Sequence, residues 1–263
     1  MLRKILALAG LLSLVAAAPA LADGQEPKHT VHWSFSGPFG MYDQEQLQRG
    51  FKVYREVCSQ CHSLNLIAFH NLGEPGGPFW SDKYKNANDN PYVKAIAAYY
   101  KVADIDPDTG DPIKRTATSA DTIPPPYAND IAAKATLGGS PPDMSLLVKA
   151  REGGPDYVYS IVTGYTQAPP GVTVPAGKYY DPYMPGGIIS MPPPLTADKV
   201  TFDDGKPSTL DQEAQDVAAF LTWASDPHME ERKETGLAVM AYLILFSGLL
   251  YASYRRIWRN VAH

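Results

Sequence analysis

Apolar positions along the chain fall into two kinds of pattern. From Gly236 to Tyr254, nineteen consecutive residues carry no formal charge. At ~1.5 Å per residue such a helix spans roughly 28 Å, close to the ~30 Å hydrocarbon core of a bilayer. Tyr251, Tyr254 and Trp258 suit the interfacial belt at its end, and Arg255, Arg256 and Arg259 hold that end in the cytoplasm by the positive-inside rule. Asp226 as N-cap, Pro227 at the first helical position and Glu230 and Glu231 in the first turns predict that the helix begins before the membrane, as a rigid rod over 227–257. Elsewhere the apolar residues recur at three-and-four spacing. Asp43 to Val57 predicts a helix through Leu47, Gly50, Phe51, Tyr54 and Val57, and Leu210 to Ser225 a second through Val217, Phe220, Leu221 and Trp223, with Thr209 and Gln212 as a capping box. A glycine inside a helix costs ~1 kcal/mol relative to alanine, so Gly50 predicts that another helix crosses there, and Leu210–Ser225 is the matching element.

Weaker signals fill the middle. Asn90 caps a predicted helix from Pro91 to about Val102, Ser140 caps one to about Glu152 that Gly153-Gly154 stops, and Pro155 to Thr163 forms another. Asp104 to Asp111 reads as an acidic turn, 167–195 as irregular, and Val200–Phe202 as a short strand. At the other end, Arg3 and Lys4, the apolar run Ile5–Ala18 and the small-x-small Ala20-Leu21-Ala22 predict a secretory signal over 1–22. The expected organisation is therefore a signal (1–22), an exported domain (23–226), an anchor helix (227–257) and a cytoplasmic tail (258–263).

Composition narrows the class. With 263 residues, 44% hydrophobic and 19% charged, the chain folds rather than staying disordered. Twenty-four prolines and 21 glycines imply long, stiff, irregular loops and argue against a regular bundle. Two cysteines exclude a disulfide scaffold, and a net charge of -5 excludes a strongly basic nucleic-acid binder. All 28 acidic side chains lie between Asp23 and Glu234, where only 18 of the 23 basic ones are found. That acidic body, beyond aiding solubility, favours encounter with a basic partner.

The chemistry sits at Cys58-Ser59-Gln60-Cys61-His62, the C-x-x-C-H attachment signature of c-type haem. Two thiols three positions apart reach the two vinyl groups of one porphyrin as thioethers, and the next residue, His62, reaches the iron from one face. A thioredoxin-like site wants a βαβ setting, a zinc site wants four ligands, and a Cys58–Cys61 disulfide leaves His62 without a purpose. One motif implies one covalent haem. Histidine, methionine or an open position are the options for the iron's other face. Met229 and Met240 belong to the rod, Met41 lies close to the first helix, and Met144 reads as core. Met184 and Met191 both lie in proline-glycine-rich loop, and Met191 opens Met-Pro-Pro-Pro-Leu, whose prolines fix φ and present the preceding side chain with little freedom. The residues alone leave the sixth ligand open.

Several motifs in order resemble the cytochrome c1 family: Arg49-Gly50-Phe51-Lys52-Val53-Tyr54 before the haem motif, Pro141-Pro142-Asp143-Met144-Ser145, Lys149-Ala150-Arg151-Glu152-Gly153-Gly154 with Asp156-Tyr157, Thr163-Gly164-Tyr165, Met191-Pro192-Pro193-Pro194 and Asp203-Asp204-Gly205-Lys206-Pro207, closed by the C-terminal anchor. The resemblance implies a mainly α, class I cytochrome c-like haem domain with long Pro/Gly-rich loops and one C-terminal transmembrane helix. It implies Met191 as sixth ligand opposite His62, and Arg151 and Tyr157 as contacts of a haem propionate, which an arginine fork suits. It also implies the work: no enzyme on its own, but a mono-haem electron carrier of quinol–cytochrome c reductase. As such it passes electrons from a Rieske iron–sulfur protein to a soluble c-type cytochrome, alongside cytochrome b in a dimeric complex, in a bacterial inner membrane with the haem domain in the periplasm. His/Met ligation would raise the potential and leave no open position. Some bacterial members carry an extra cysteine pair near the axial methionine; this chain has none, so proline stiffness and packing must hold the Met191 loop. A haem enzyme or gas sensor with an open sixth site, and another tethered cytochrome such as an oxidase subunit, are the rival readings.

Overall fold

The computed structural model describes residues 27–28 and 31–260, so the expected signal segment lies outside the described residues. The described residues divide into two units: one within 27–163 together with 193–260, and 164–192. The first is organised by helix α1, Gln44–Glu56, and a long helix, Leu210–Ser225. Asp43 caps α1 by accepting from the Gln46 amide, and Thr209 caps the other by accepting from the Gln212 amide. The Gln212 side chain does not close a capping box; it donates to Asp216 instead (2.8 Å).

The predicted crossing is present. A Cβ on Gly50 would lie 2.0 Å from the Asp216 carbonyl oxygen and 2.6 Å from the Phe220 Cβ, so only glycine lets the two backbones approach this closely. Around the crossing, Leu47, Phe51, Tyr54, Val217, Phe220, Leu221 and Trp223 form the centre of the core. Beside it Arg49, 5% exposed, pairs with the fully buried Asp216 (2.8 Å) and with Asp204 (2.7 Å). Burial pushes the Asp216 carboxyl above the usual range, and Arg49 and Gln212 only partly offset this.

Four further expectations fail in this unit. The helix capped by Asn90 runs over Pro91–Ala98 (α2) and stops short of Val102, because Lys101–Ile105 (β1) pairs antiparallel with Pro112–Thr116 (β2) around the acidic turn. No helix follows Ser140. Pro141 and Pro142 supply no amide, and the Asp143 carboxylate takes up the Ser145 amide (2.9 Å), leaving a series of turns to Gly153 and Gly154, both at positive φ. Val200–Phe202 forms no strand, since the Val200 amide donates to the buried Glu213 carboxylate (3.0 Å). Asp226 is the C-cap of the Leu210–Ser225 helix, its amide bonding the carbonyls of Thr222 and Trp223, and the anchor helix starts later, at Met229. A short helix over Asp130–Leu137 (α3) carried no strong apolar pattern and was not foreseen, while α4, Pro155–Thr163, is found where its pattern places it. The Leu210–Ser225 helix is then α5.

Helix α6, Met229–Trp258, is one uninterrupted stretch of 30 residues, long and apolar enough to cross a membrane, with its apolar window wholly exposed. Its first turns are tied to the domain. Tyr42 donates its amide to Glu230 (2.7 Å) and its hydroxyl to the Asp226 carbonyl (3.2 Å), Lys149 reaches Asp226 (3.1 Å), and Met229 is buried.

The second unit, 164–192, is mostly irregular, as its glycines and prolines predict. It holds one two-residue ladder, Tyr179–Tyr180 (β3) against Ile188–Ile189 (β4), closed by a turn in which the Gly187 amide donates to Met184 (2.8 Å) and the Asp181 amide to Gly187 (3.0 Å).

Candidate haem site

Helix α1 ends at Glu56, and Cys58–Gln60 continues as one 3₁₀ turn. The Cys61 amide donates to the Cys58 carbonyl (3.1 Å), and so does the His62 amide (2.9 Å). Both bonds fold the Cys61 and His62 backbone back onto Cys58, and residues three and four apart on such a turn are neighbours of Cys58. Cys58 and Cys61 are half-buried, and burial pushes the Cys58 thiol up to about 12.

His62 is 9% exposed, and its Nδ1 lies 2.9 Å from the Pro142 carbonyl oxygen. A carbonyl oxygen only accepts, so Nδ1 carries the proton and Nε2 keeps its lone pair. Burial also pushes the imidazole pKa down, although the Pro142 carbonyl and Asp143 favour the cation. A neutral, oriented imidazole with a free Nε2 is what an axial position on haem iron requires. The site fits the group.

The segment after His62 is stapled to the 142–145 segment. Asp143 accepts from the Ser63 hydroxyl (2.7 Å) and the Asn65 amide (2.9 Å), the Met144 amide donates to the Ser63 carbonyl (2.9 Å), and the Leu66 amide to the Ser145 hydroxyl (3.0 Å). Burial pushes the Asp143 carboxyl up, but hydrogen bonds from Ser145, Asn65 and Ser63 outweigh it and hold the group below the usual carboxylate range. Pro142 and Asp143 are positioning residues that the sequence did not identify as such. The signal was the Pro141-Pro142-Asp143 run: two prolines whose amide nitrogens donate nothing, then an Asx residue that organises the turn.

The other expected residues stand as follows. Arg151 is exposed at the end of the turns, its guanidinium donating to the Ala150 carbonyl (3.0 Å). Tyr157 is half-buried in the first turns of α4. Cys58, Cys61, His62, Arg151 and Tyr157 belong to one unit; Met191 belongs to the other. There its carbonyl accepts from the Tyr165 hydroxyl (3.0 Å), and Tyr165 packs edge-on against Tyr179 at 6.3 Å between centroids.

Comparison with known proteins agrees with this chemistry. The profile described as the Cytochrome C1 family matches residues 33–261. A protein named cytochrome c1 from Rhodospirillum rubrum is 41% identical over 99% of this chain and 98% of its own length, and one from Blastochloris viridis is 40% identical over 99% and 97%. A "Cytochrome b/c1" from Bradyrhizobium diazoefficiens is 44% identical over 87% of this chain, which spans about a third (35%) of that longer protein.

Proposed function

Because this chain belongs to the cytochrome c1 family, the membrane-anchored electron carrier of the cytochrome bc1 complex with one covalent haem c, we propose how its own residues do that work. Cys58 and Cys61 hold the haem as thioethers. His62 binds the iron through Nε2, kept in that tautomer by the Pro142 carbonyl (2.9 Å). Met191 would supply the sulfur ligand, and Arg151 and Tyr157 would engage a propionate. The haem, when bound, supplies a one-electron couple. The polypeptide contributes ligands, orientation and the exclusion of a seventh visitor to the iron.

The observation that carries this reading is the buried imidazole directly after the two thiols, oriented by the Pro142 carbonyl. Electrons then pass from a Rieske iron–sulfur protein to a soluble c-type cytochrome. The acidic body steers a basic acceptor, so transfer slows as salt rises. Cytochrome b is the membrane neighbour, a reading supported by the relative whose name joins b and c1 in one chain. The domain faces the periplasm of a bacterial inner membrane, with the arginines after Tyr254 on the cytoplasmic side.

The test is an optical redox titration of Met191→Leu beside Met184→Leu. Met191→Leu should lose the methionine–iron charge-transfer band and lower the potential, because thioether ligation favours the ferrous state, while Met184→Leu changes neither. An unaltered potential in Met191→Leu moves the ligand elsewhere. Ready carbon monoxide binding by the native reduced protein would instead favour an open-site haem enzyme or sensor.

A further inference from the structure

The ten residues from Trp33 to Tyr42 carry no charge. Within them Phe39 is 79% exposed and Met41 62% exposed. The loop is rigid. The Ser36 amide donates to the Trp33 carbonyl (3.1 Å), the Met41 amide to the Ser34 carbonyl (3.2 Å), and a Cβ on Gly40 would lie 2.2 Å from the Ser36 oxygen. Phe39 and Met41 therefore cannot retract into the core by a small rearrangement.

The same loop is pinned to the anchor helix. Lys233 Nζ donates to the carbonyls of Phe35 (2.7 Å) and Gly40 (2.9 Å), one on each side of Phe39. Lys233 is the last cation before the uncharged span, and its ammonium is occupied by backbone oxygens. It precedes Gly236 by three residues, about 4–5 Å of helical rise. The polar interfacial layer of a bilayer is about 5–8 Å thick on each side of the hydrocarbon. A loop fixed at Lys233 thus meets α6 within one turn of its uncharged span.

We infer that the loop 36–41 is a second membrane contact of the domain, with Phe39 and Met41 entering the headgroup region beside the anchor. The inference rests on α6 being the anchor. Lipid is favoured as occupant because the contact is continuous with the anchor surface: exposed apolar residues resume on α6 at Leu237, four residues past Lys233. One anchor helix leaves the domain free to lean. A helix plus a wedge of two apolar side chains fixes its tilt against the bilayer, and with it the height of the haem.

The experiment uses full-chain holoprotein in vesicles of equimolar phosphatidylcholine and phosphatidylglycerol. Phe39→Cys and Met41→Cys are spin-labelled, with Leu245→Cys as the membrane reference, Asp108→Cys as the aqueous reference and the parent chain as the labelling blank. Spectra are taken in the ferrous, low-spin state, with oxygen and a water-soluble nickel chelate as relaxation agents. Labels at 39 and 41 should show an oxygen-to-nickel accessibility ratio several-fold above that at 108 and below that at 245. A ratio at 39 and 41 equal to that at 108, with 245 in lipid, overturns the loop contact alone. A water-like ratio at 245 overturns the anchor as well. Labels that are water-like in vesicles and immobilised only in the assembled complex replace the lipid contact with a protein one.

Discussion

The two regions assigned to the iron are built in different ways. The segment that carries His62 follows a helix packed through Gly50 against α5, and is then stapled to 142–145 by four side-chain and backbone hydrogen bonds. The segment that carries Met191 has a two-residue ladder, turns, bonds from the Thr166 amide to the Tyr180 carbonyl and from Lys178 to Ser190, and a hydroxyl bond to the methionine's own carbonyl. In the first, order comes from buried side chains contributed by distant parts of the chain. In the second, it comes from bonds made within 164–192 and from prolines that restrict φ whether or not anything packs on them. An imidazole that must keep one tautomer needs a fixed acceptor behind it; a thioether has no second polar atom to satisfy, so a stiff backbone suffices.

That contrast has testable consequences. Asp143→Ala removes the acceptor for the Ser63 hydroxyl and the amides of Asn65 and Ser145. Hydrogen bonds to a charged group are worth about 1.5–3 kcal/mol each and are not additive, so a loss of about 3 kcal/mol is expected in denaturant unfolding of the holoprotein. A loss under about 1 kcal/mol would erase the distinction between the regions. Tyr165→Phe removes a single bond to the Met191 carbonyl. It should cost about 1 kcal/mol and show itself as weakening of the methionine–iron band on mild heating, with the unfolding midpoint barely moved. An equal effect of the two variants on global stability would mean that both regions share one cooperative network.

The smallest effect separates them by pH. Hydrogen bonds from Arg115 hold the Asp121 carboxyl well below the usual carboxylate range, burial opposes them, and the Thr118 amide and hydroxyl add to them. A carboxyl whose folded pKa is depressed contributes stability that is present above the ordinary value near 3.9 and is lost as pH falls through the folded value. Amide exchange at Phe69, which donates to the Asp121 carbonyl, and at Ala117 should therefore quicken below about pH 4, while exchange across 164–192 keeps its neutral-pH pattern. Uniform acceleration of both would sink this point.

Much of the architecture was legible because its signals are periodic and local. Helices α1 and α5 are read from apolar spacing, and Gly50 announced the crossing because a helix interior tolerates a glycine at a cost of ~1 kcal/mol when a neighbour needs the space. The errors share a cause. Asp226 fits an N-cap by residue type, yet α5 arrives first and takes its backbone, while Lys149 and Arg232 take its carboxylate. Ser140 resembles a cap, yet Asp143 is recruited by Ser63 and Asn65, 80 and 78 positions away. The Val200 amide goes to Glu213 rather than to a ladder. In each case a polar group that could have opened a helix or joined a ladder is engaged by another partner.

By itself the order of residues determined the covalent chemistry, the membrane span and the helices that flank the thiols. Those depend on spacing along one chain, which a pattern of side chains states outright. Only the tertiary structure decided which nitrogen of His62 is free, what holds the turn after it, and that Lys233 pins an exposed apolar loop beside the anchor. These depend on a carbonyl or carboxylate meeting its donor across 80 to almost 200 positions, and a backbone oxygen carries no mark in the sequence because every residue has one.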